Sequence, residues 1–133
     1  MSHARTARQV VDDAYAALFE RNDLDGFLSD FDENSTMIEA ASLPYGGTFR
    51  GKETIRTAIQ RVFGYWEDFA FDIESIVYGD EYVIAYGRFS ATSTKSGKKI
   101  DLPLAEVWKI HEGRVALVHP IYSDTKLALD ALA

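Results

Sequence analysis

Glu106 is the residue whose position most clearly suggests chemistry. Side chains of a β-strand alternate between two faces, and the sequence around Glu106 alternates strictly. Burial favours the neutral form of a carboxyl and raises its pKa, so such a group can donate a hydrogen bond or move a proton near neutral pH. The alternative is an ion pair with Arg88 or another base on a neighbouring strand. The other residues predicted on the face of Glu106 are all large and apolar: Ile100, Leu102, Leu104, Trp108 and Ile110.

Glu39 and Tyr15 are two further candidates for chemistry. Glu39 ends the first predicted strand on the same face as Met37, where a carboxylate held on rigid backbone can act as a general base. A solvated strand end explains Glu39 equally well. Tyr15 lies in the apolar stripe of the first predicted helix, and a buried phenol usually directs its hydroxyl at a partner, although packing alone also accounts for it.

His119 is predicted on one face of the last strand, and Pro120 and Tyr122 on the other. A histidine satisfied in the core or at a sheet interface is favoured over a catalytic one. We nevertheless include it among the candidate ligand-binding residues. The residues predicted to share its face are Val115, Leu117 and Ile121.

Helical periodicity and capping residues predict the helices that position these groups. Residues 5–21 form one amphipathic helix, and Asp23 can cap a short second helix that ends by Asp32. A third amphipathic helix runs from Lys52 to about Gly64. Asp124, or the serine before it, can cap a short final helix.

The strands follow from period-2 alternation and turn residues. A brief strand is predicted over residues 36–40, and the segment from 41 to 51 is predicted to be irregular. Helices first and consecutive hairpins later imply an α+β fold, in which N-terminal helices pack on a curved antiparallel β-meander. The result is a cone-shaped α+β barrel that encloses a pocket, and the length predicts a single domain over residues 1–133. The four later strands span residues 69–77, 82–94, 100–110 and 114–122.

Aromatic residues make up 13% of the sequence and are the expected material of the pocket wall. Such walls favour a small, flat or cyclic, apolar ligand. Tyr45 and Arg50 are predicted on the irregular loop near the mouth. The predicted wall residues are Phe63, Trp66, Phe89, Trp108 and Tyr122.

Charge and residue usage exclude several classes. A net charge of −7 opposes binding to nucleic acid, which needs clustered lysine and arginine. The absence of cysteine removes disulfides, thiolate nucleophiles and cysteine-ligated zinc, and His3, His111 and His119 are not spaced for a zinc site. We therefore expect no metal and no cofactor. The N-terminal residues lack a signal-peptide pattern and no stretch reaches membrane-spanning length, so a cytoplasmic location without a membrane is expected.

Several local motifs carry a family resemblance over nearly the whole chain. The chain resembles the ketosteroid isomerase and SnoaL-like polyketide cyclase branch of the nuclear-transport-factor-2-like superfamily. These motifs are residues 15–18 followed by 22–26, the turn at 31–36, the segment 49–55 that opens the third helix, and the late hairpin from Trp108 to Val115.

The resemblance implies roles for three residues and a homodimer. Tyr15 falls at the family's oxyanion-hole tyrosine, Glu39 at its catalytic aspartate base, and Glu106 at its protonated aspartate donor. Both aspartates are glutamates here. A second copy is expected to pair with the outer sheet face, for which the candidate apolar residues are Val115, Leu117 and Ile121.

The leading hypothesis is an enzyme that transfers a proton next to a carbonyl, in an isomerisation, aldol cyclisation or dehydration. Glu39 would abstract the proton, and Tyr15 and neutral Glu106 would stabilise the enolate oxygen. One alternative resembles epoxide hydrolase or scytalone dehydratase, with a carboxylate that activates water and with His119 or Asp124 taking part. Another is a non-catalytic module for small-molecule binding or dimerisation.

Overall fold

Four α-helices and one π-helical segment lie in residues 5–133, the part of the chain that this computed structural model describes. The helix predicted over residues 5–21 is α-helical only to Tyr15 and then becomes π-helical. The predicted caps are confirmed, because the Asp23 and Asp124 side chains accept hydrogen bonds from the Gly26 and Leu127 amides. The elements are α1 Ala7–Tyr15, the π-helical segment Ala16–Glu20, α2 Leu24–Phe27, α3 Lys52–Tyr65 and α4 Thr125–Leu132.

The strands form one six-stranded sheet in the order β2-β1-β6-β5-β4-β3. β1 and β6 are parallel and the other neighbours are antiparallel. Helices packed on this curved, unclosed sheet confirm the predicted α+β fold. The strands are β1 Thr36–Glu39, β2 Gly47–Arg50, β3 Trp66–Tyr78, β4 Tyr82–Ser93, β5 Lys99–His111 and β6 Arg114–Tyr122.

β2 corrects the prediction that residues 41–51 are irregular. Gly47 to Arg50 pair with β1 in full register, from Glu39↔Gly47 to Thr36↔Arg50. The strand is four residues long and contains only one large apolar residue, Phe49, so it carries too little alternation for a periodicity argument.

The inner face of the sheet carries two apolar clusters. One packs α1, α2 and α3 against the middle of the sheet, around the buried residues Val11, Leu28 and Trp108. The other packs α4 against the opposite part of the sheet, around Trp66 and Leu102. In the described chain no helix is long and apolar enough to cross a membrane.

A bulge in β6 determines which of its residues face inward. Lys109 pairs with Leu117, but the next residue of β5 pairs with Val115, so β6 holds one extra residue at this point. Val115 is therefore on the inner face, where only 1% of it is exposed. The prediction that Val115 and His119 share a face is wrong, because periodicity alone does not reveal the inserted residue.

Gly87 is needed where β4 meets an irregular point of β3. The register shifts between Ile73 and Ser75, and a Cβ added at Gly87 would lie 2.1 Å from the backbone oxygen of Asp72. We expect Gly87→Ala to lower the free energy of unfolding by about 1–3 kcal/mol, because backbone atoms must move. Urea denaturation measures this change.

Gly64→Ala is the matched control for Gly87→Ala. Gly64 lies in α3, and a Cβ added there meets nothing within 4 Å. Its replacement should leave stability unchanged or raise it by up to about 1 kcal/mol, because alanine favours helix. Equal stabilities of the two variants would contradict the assigned role of Gly87.

Candidate functional site

A cavity of about 120 Å³ opens between the helices and the inner face of the sheet. Its lining draws residues from both apolar clusters, so it lies where the two clusters meet. The wall is apolar except for four side chains that can exchange protons or hydrogen bonds: Tyr15, Glu39, Glu106 and Tyr122.

Glu106 receives a hydrogen bond from a tyrosine that is itself held by a tryptophan. The Tyr15 hydroxyl donates to Glu106 Oε1 at 2.7 Å, and Trp108 Nε1 donates to the Tyr15 hydroxyl at 2.8 Å. Tyr15 is the last residue of α1 and Trp108 is fully buried on β5. The alternative partner Arg88 instead donates to Asp101, at 2.9 Å. The ion pair weighed as an alternative for Glu106 is therefore not formed.

Glu39 is buried without a hydrogen bond at one of its oxygens. The residue is 4% exposed, and its Oε1 has no partner among residues 5–133. The pairing of β1 with β6 stops at Met37↔Val118, two residues before Pro120, which has no N–H to offer. Glu39 is thus buried at the cavity wall, which excludes the solvated strand end considered from the sequence.

A second chain of hydrogen bonds ends at Tyr122. Trp66 Nε1 donates to the Tyr45 hydroxyl at 3.0 Å, and the hydroxyls of Tyr45 and Tyr122 are 2.7 Å apart. Tyr45 and Trp66 are 1% and 2% exposed. Neither side chain lines the cavity, so both lie behind its wall. Tyr122 is the member of this chain that lines the cavity.

Burial raises the pKa of all the titratable groups around the cavity. Burial raises the pKa of Glu39 well above its ordinary value, and the charge of Glu106 raises it further. Burial also raises the pKa of Glu106, but the hydrogen bond from Tyr15 offsets part of this effect. The pKa of Tyr45 is raised to about 12, mainly by burial. Burial raises the pKa of Tyr15 and Tyr122 well above 10.0, so both remain protonated and can donate.

The structure brings together all three predicted catalytic residues, Tyr15, Glu39 and Glu106, and three of the predicted ligand-binding residues. The latter are Phe63, Phe89 and Tyr122, each placed by the alternation or helical spacing from which it was predicted. What these residues do to a ligand stays a prediction.

Five predicted ligand-binding residues do not line the cavity. Tyr45, Trp66 and Trp108 lie directly behind its wall and hold the polar groups described above. Arg50 is exposed on β2 and donates to Asn34 Oδ1 at 3.3 Å, away from the mouth, because the loop that was predicted to carry it is a strand. His119 pairs with Val107 on β5 and faces outward, because the inward positions of β6 belong to Val118, Pro120 and Tyr122.

Sequence reasoning missed much of the apolar lining. Phe19 lies in the π-helical segment and stacks on Tyr15 with ring centroids 5.9 Å apart, and its spacing of four residues from Tyr15 was a usable signal. The alternation of β3 and the helical spacing of α2 carried usable signals for several others. The missed residues include Leu18, Phe19, Phe27, Phe69, Phe71 and Pro120.

Within residues 5–133, no three histidine, aspartate or glutamate side chains come together in a way that could hold a metal ion. His3, one of the three histidines considered from the sequence, lies outside the described residues.

Solved structures resemble the whole chain. An NTF2-like protein from Burkholderia thailandensis has 29% sequence identity and a TM-score of 0.88, with 97% of this chain and 98% of that chain covered. A putative SnoaL-like polyketide cyclase from Shewanella denitrificans has 20% identity and a TM-score of 0.74, with 94% and 95% covered. TerC, co-crystallised with polyporic acid, has 17% identity and a TM-score of 0.81, with 94% and 96% covered.

The family of this chain follows from a match to a family model, since no curated protein matches the chain. The model of the SnoaL-like domain matches residues 11–118, which include the end of α1 and most of the sheet. The fold, the cavity and this match agree, and the chain belongs to the SnoaL-like family.

Proposed function

We propose that this protein is a cofactor-independent enzyme that transfers a proton next to the carbonyl group of a small apolar cyclic ketone. The observation that carries the proposal is the unequal hydrogen bonding of two carboxyls that face one apolar cavity, Glu39 buried and Glu106 half-buried. Glu106 accepts a hydrogen bond from Tyr15, whereas Glu39 Oε1 has no partner in the described structure. Environments that separate the pKa values of two acids are the usual basis for an acid and a base in one site.

The hydrogen bonds determine which carboxyl holds a proton. Two carboxylates around one cavity disfavour each other's charge, so one of them is protonated near neutral pH. A hydrogen bond donated by Tyr15 stabilises the charged form of Glu106, and nothing comparable stabilises a charge at Oε1 of Glu39. We therefore assign the negative charge to Glu106 and the proton to Glu39, which exchanges the roles that the family resemblance implied.

This assignment defines a reaction. Glu106 takes a proton from the carbon next to the carbonyl, the electron pair of the broken C–H bond forms a C=C bond, and the oxygen gains negative charge. The proton of Glu39 stabilises that oxygen. In a ketone with a C=C bond between its β and γ carbons, return of the proton from Glu106 to the γ carbon gives an isomer. In a compound with a second carbonyl, attack of the enolate carbon on that carbonyl closes a ring, and the resulting alkoxide takes the proton from Glu106. Positioned proton transfer of this kind contributes about 10²–10⁴-fold in rate.

The size and wall of the cavity favour a ligand with one ring. An apolar protein cavity of roughly 150 Å³ admits benzene, and this cavity measures about 120 Å³. Two structural neighbours agree with an organic ligand: one is a putative SnoaL-like polyketide cyclase from Shewanella denitrificans, and TerC was co-crystallised with polyporic acid.

The alternative of a hydrolase or lyase that uses His119 or Asp124 has less support. His119 lies on the outer face of β6, and the carboxylate of Asp124 is used as the N-cap of α4. Neither side chain lines the cavity.

A homodimer through the outer sheet face is a further proposal. Register places Tyr86, Ala105 and Ile121 in one row across β4, β5 and β6, and Ile84 and His119 are in the next row. Ile84, Tyr86 and Ile121 are 40%, 47% and 46% exposed, so they form an apolar area on neighbouring strands.

Ile121→Lys tests the homodimer. A lysine at the centre of an apolar contact should shift the protein from dimer to monomer in sedimentation velocity, with the free energy of unfolding of each chain unchanged. The matched control is Glu74→Gln on β3, which should remain dimeric. A monomeric wild-type protein at micromolar concentration would overturn this proposal.

Glu39→Gln tests the location of the proton through stability. The pKa of Glu39 in the folded protein is raised well above 4.5, so its contribution to stability is complete at low pH and is lost as pH rises above 4.5. The loss has a slope of at most about 1.4 kcal/mol per pH unit. Glutamine cannot ionise, so the variant should be more stable than wild type at pH 8. Chemical denaturation at pH 5 and pH 8 measures the difference, and an unchanged pH dependence contradicts the assignment.

Exchange of carbon-bound hydrogen in D₂O tests the reaction itself. We expect the wild-type protein to accelerate deuterium incorporation next to the carbonyl of cyclohexanone, as followed by ¹H NMR. Glu106→Gln should lower this rate by about 10²–10⁴-fold, because it removes the base. Glu74→Gln, an exposed carboxyl on β3, is the control. No acceleration by the wild type, or full activity in Glu106→Gln, would refute the proposal.

The pH profile of the same exchange reaction separates the two assignments of the base. The rate should rise as Glu106 ionises and fall as Glu39 loses its proton. Tyr15→Phe removes a hydrogen bond that lowers the pKa of Glu106, so the rising limb should move to higher pH. A limb that stays in place in Tyr15→Phe is incompatible with Glu106 as the base.

A further inference from the structure

We propose that Tyr122 is a further catalytic residue, which binds the same ligand oxygen as Glu39, and that Tyr45 is a positioning residue that acts through Tyr122. This inference rests on the proposed function, because it assigns the second donor to the carbonyl oxygen of that reaction. The family resemblance implied that Tyr15 and Glu106 bind the ligand oxygen; these two residues belong to the hydrogen-bond chain that starts at Trp108.

The direction of the hydrogen bond between Tyr45 and Tyr122 follows from what each group can donate. Trp66 Nε1 is only a donor, so it occupies one lone pair of the Tyr45 oxygen. If Tyr122 also donated to Tyr45, the proton of Tyr45 would be buried without an acceptor in the described structure. Buried donors are rarely left unpaired. Tyr45 therefore donates to Tyr122, 2.7 Å away.

The consequence is that the proton of Tyr122 is available to the cavity. Tyr122 lines the cavity, and within residues 5–133 its hydroxyl has no hydrogen-bond partner except Tyr45. The two hydrogen bonds behind it set the position of its oxygen, so the donor is already oriented before a ligand enters. A fixed donor of this kind costs little reorganisation during a reaction.

Glu39 is the polar neighbour of Tyr122 at the cavity. Met37 pairs with Val118 in parallel strands, so two residues further along both strands Glu39 lies beside Pro120. Tyr122 is the next inward-facing residue of β6. After burial, the charge of Glu39 is the largest influence that raises the pKa of Tyr122, and the charge of Glu106 has the smallest effect among the causes. Tyr122 is thus electrostatically closer to Glu39 than to Glu106.

One ligand oxygen satisfies both groups. Glu39 Oε1 lacks a partner in the described structure, and Tyr122 has a proton to give. No hydrogen bond joins Glu39 to Tyr122 in the part of the chain described, so neither group satisfies the other. A carbonyl oxygen has two lone pairs and can accept from the proton of Glu39 and the proton of Tyr122 together.

The two hydrogen-bond chains then divide the reaction between them. Trp108 and Tyr15 support the carboxylate of Glu106, which takes the proton from carbon. Trp66 and Tyr45 support the hydroxyl of Tyr122, which with Glu39 stabilises the charge that forms on oxygen. The ligand class is a cyclic ketone whose carbonyl oxygen points toward Tyr122 and whose acidic carbon points toward Glu106.

The infrared carbonyl stretch of bound cyclohexanone, labelled with ¹³C at the carbonyl, tests the proposal without turnover. Hydrogen bonds lower the stretching frequency, so wild-type protein should shift it below the value in an apolar solvent. Tyr122→Phe should reverse part of that shift and lower the exchange rate by about 10²–10³-fold, as expected for loss of one oxyanion donor. Tyr82→Phe, at an exposed position of β4 outside the proposed dimer contact, should change neither quantity.

A double-mutant cycle tests the positioning role of Tyr45. Tyr45→Phe should lower kcat more than it raises KM, and should reverse less of the infrared shift than Tyr122→Phe does. In the Tyr122→Phe background, Tyr45→Phe should have no further effect on the stretch, because it acts only through Tyr122. Urea denaturation of each variant shows whether the fold is retained.

The outcomes separate this inference from the proposed function. An unchanged carbonyl stretch in a folded Tyr122→Phe protein overturns the inference, even if Glu106→Gln abolishes exchange as expected. Additive effects of the two tyrosine substitutions on the stretch overturn the positioning role. If exchange is not accelerated by the wild type although the Tyr122-dependent shift is present, the binding site for the oxygen stands and the proposed reaction falls.

Discussion

The constraint on which the rest of this site depends is the burial of two carboxyl groups in one apolar cavity. Charged groups are costly to remove from water, and two like charges in the same cavity add repulsion. Within residues 5–133, only one of them receives a hydrogen bond, from Tyr15 to Glu106. In the proposed reaction, this asymmetry makes one of two chemically identical side chains the base and the other the acid.

Two tryptophan–tyrosine pairs support the polar groups at the cavity wall. In each pair a fully buried indole N–H donates to a phenol, and the phenol oxygen then contacts a group that lines the cavity. Indole donates but does not accept, so the first hydrogen bond of each chain runs from the tryptophan to the tyrosine, toward the cavity. Aromatic residues that were predicted only as part of the pocket wall therefore also orient the hydrogen bonds of the polar groups.

The period-2 alternation of β5 was sufficient to predict Glu106 on the inner face, and helical spacing was sufficient for Tyr15. Glu39 was found because a short strand placed it beside Met37. Trp66 was assigned to the pocket wall itself, since a sequence shows that a side chain is buried but not how many layers separate it from a cavity. Tyr45 was expected on a loop near the mouth, but it is buried behind the wall. Arg50 was misplaced because a short strand stands where a loop was predicted, and Val115 was assigned to the outer face because alternation does not reveal the inserted residue.

The inserted residue in β6 has a consequence for how this fold changes chemistry. Beyond the bulge, the inward positions are Val118, Pro120 and Tyr122, and His119 and Ile121 point away. If the same residues continued the pairing from Ile110 and Val115 without a bulge, both sets would be reversed, and His119 would lie opposite Glu106 on the inner face. The position of one inserted residue in the hairpin thus decides which of two interleaved sets of β6 side chains forms the cavity wall.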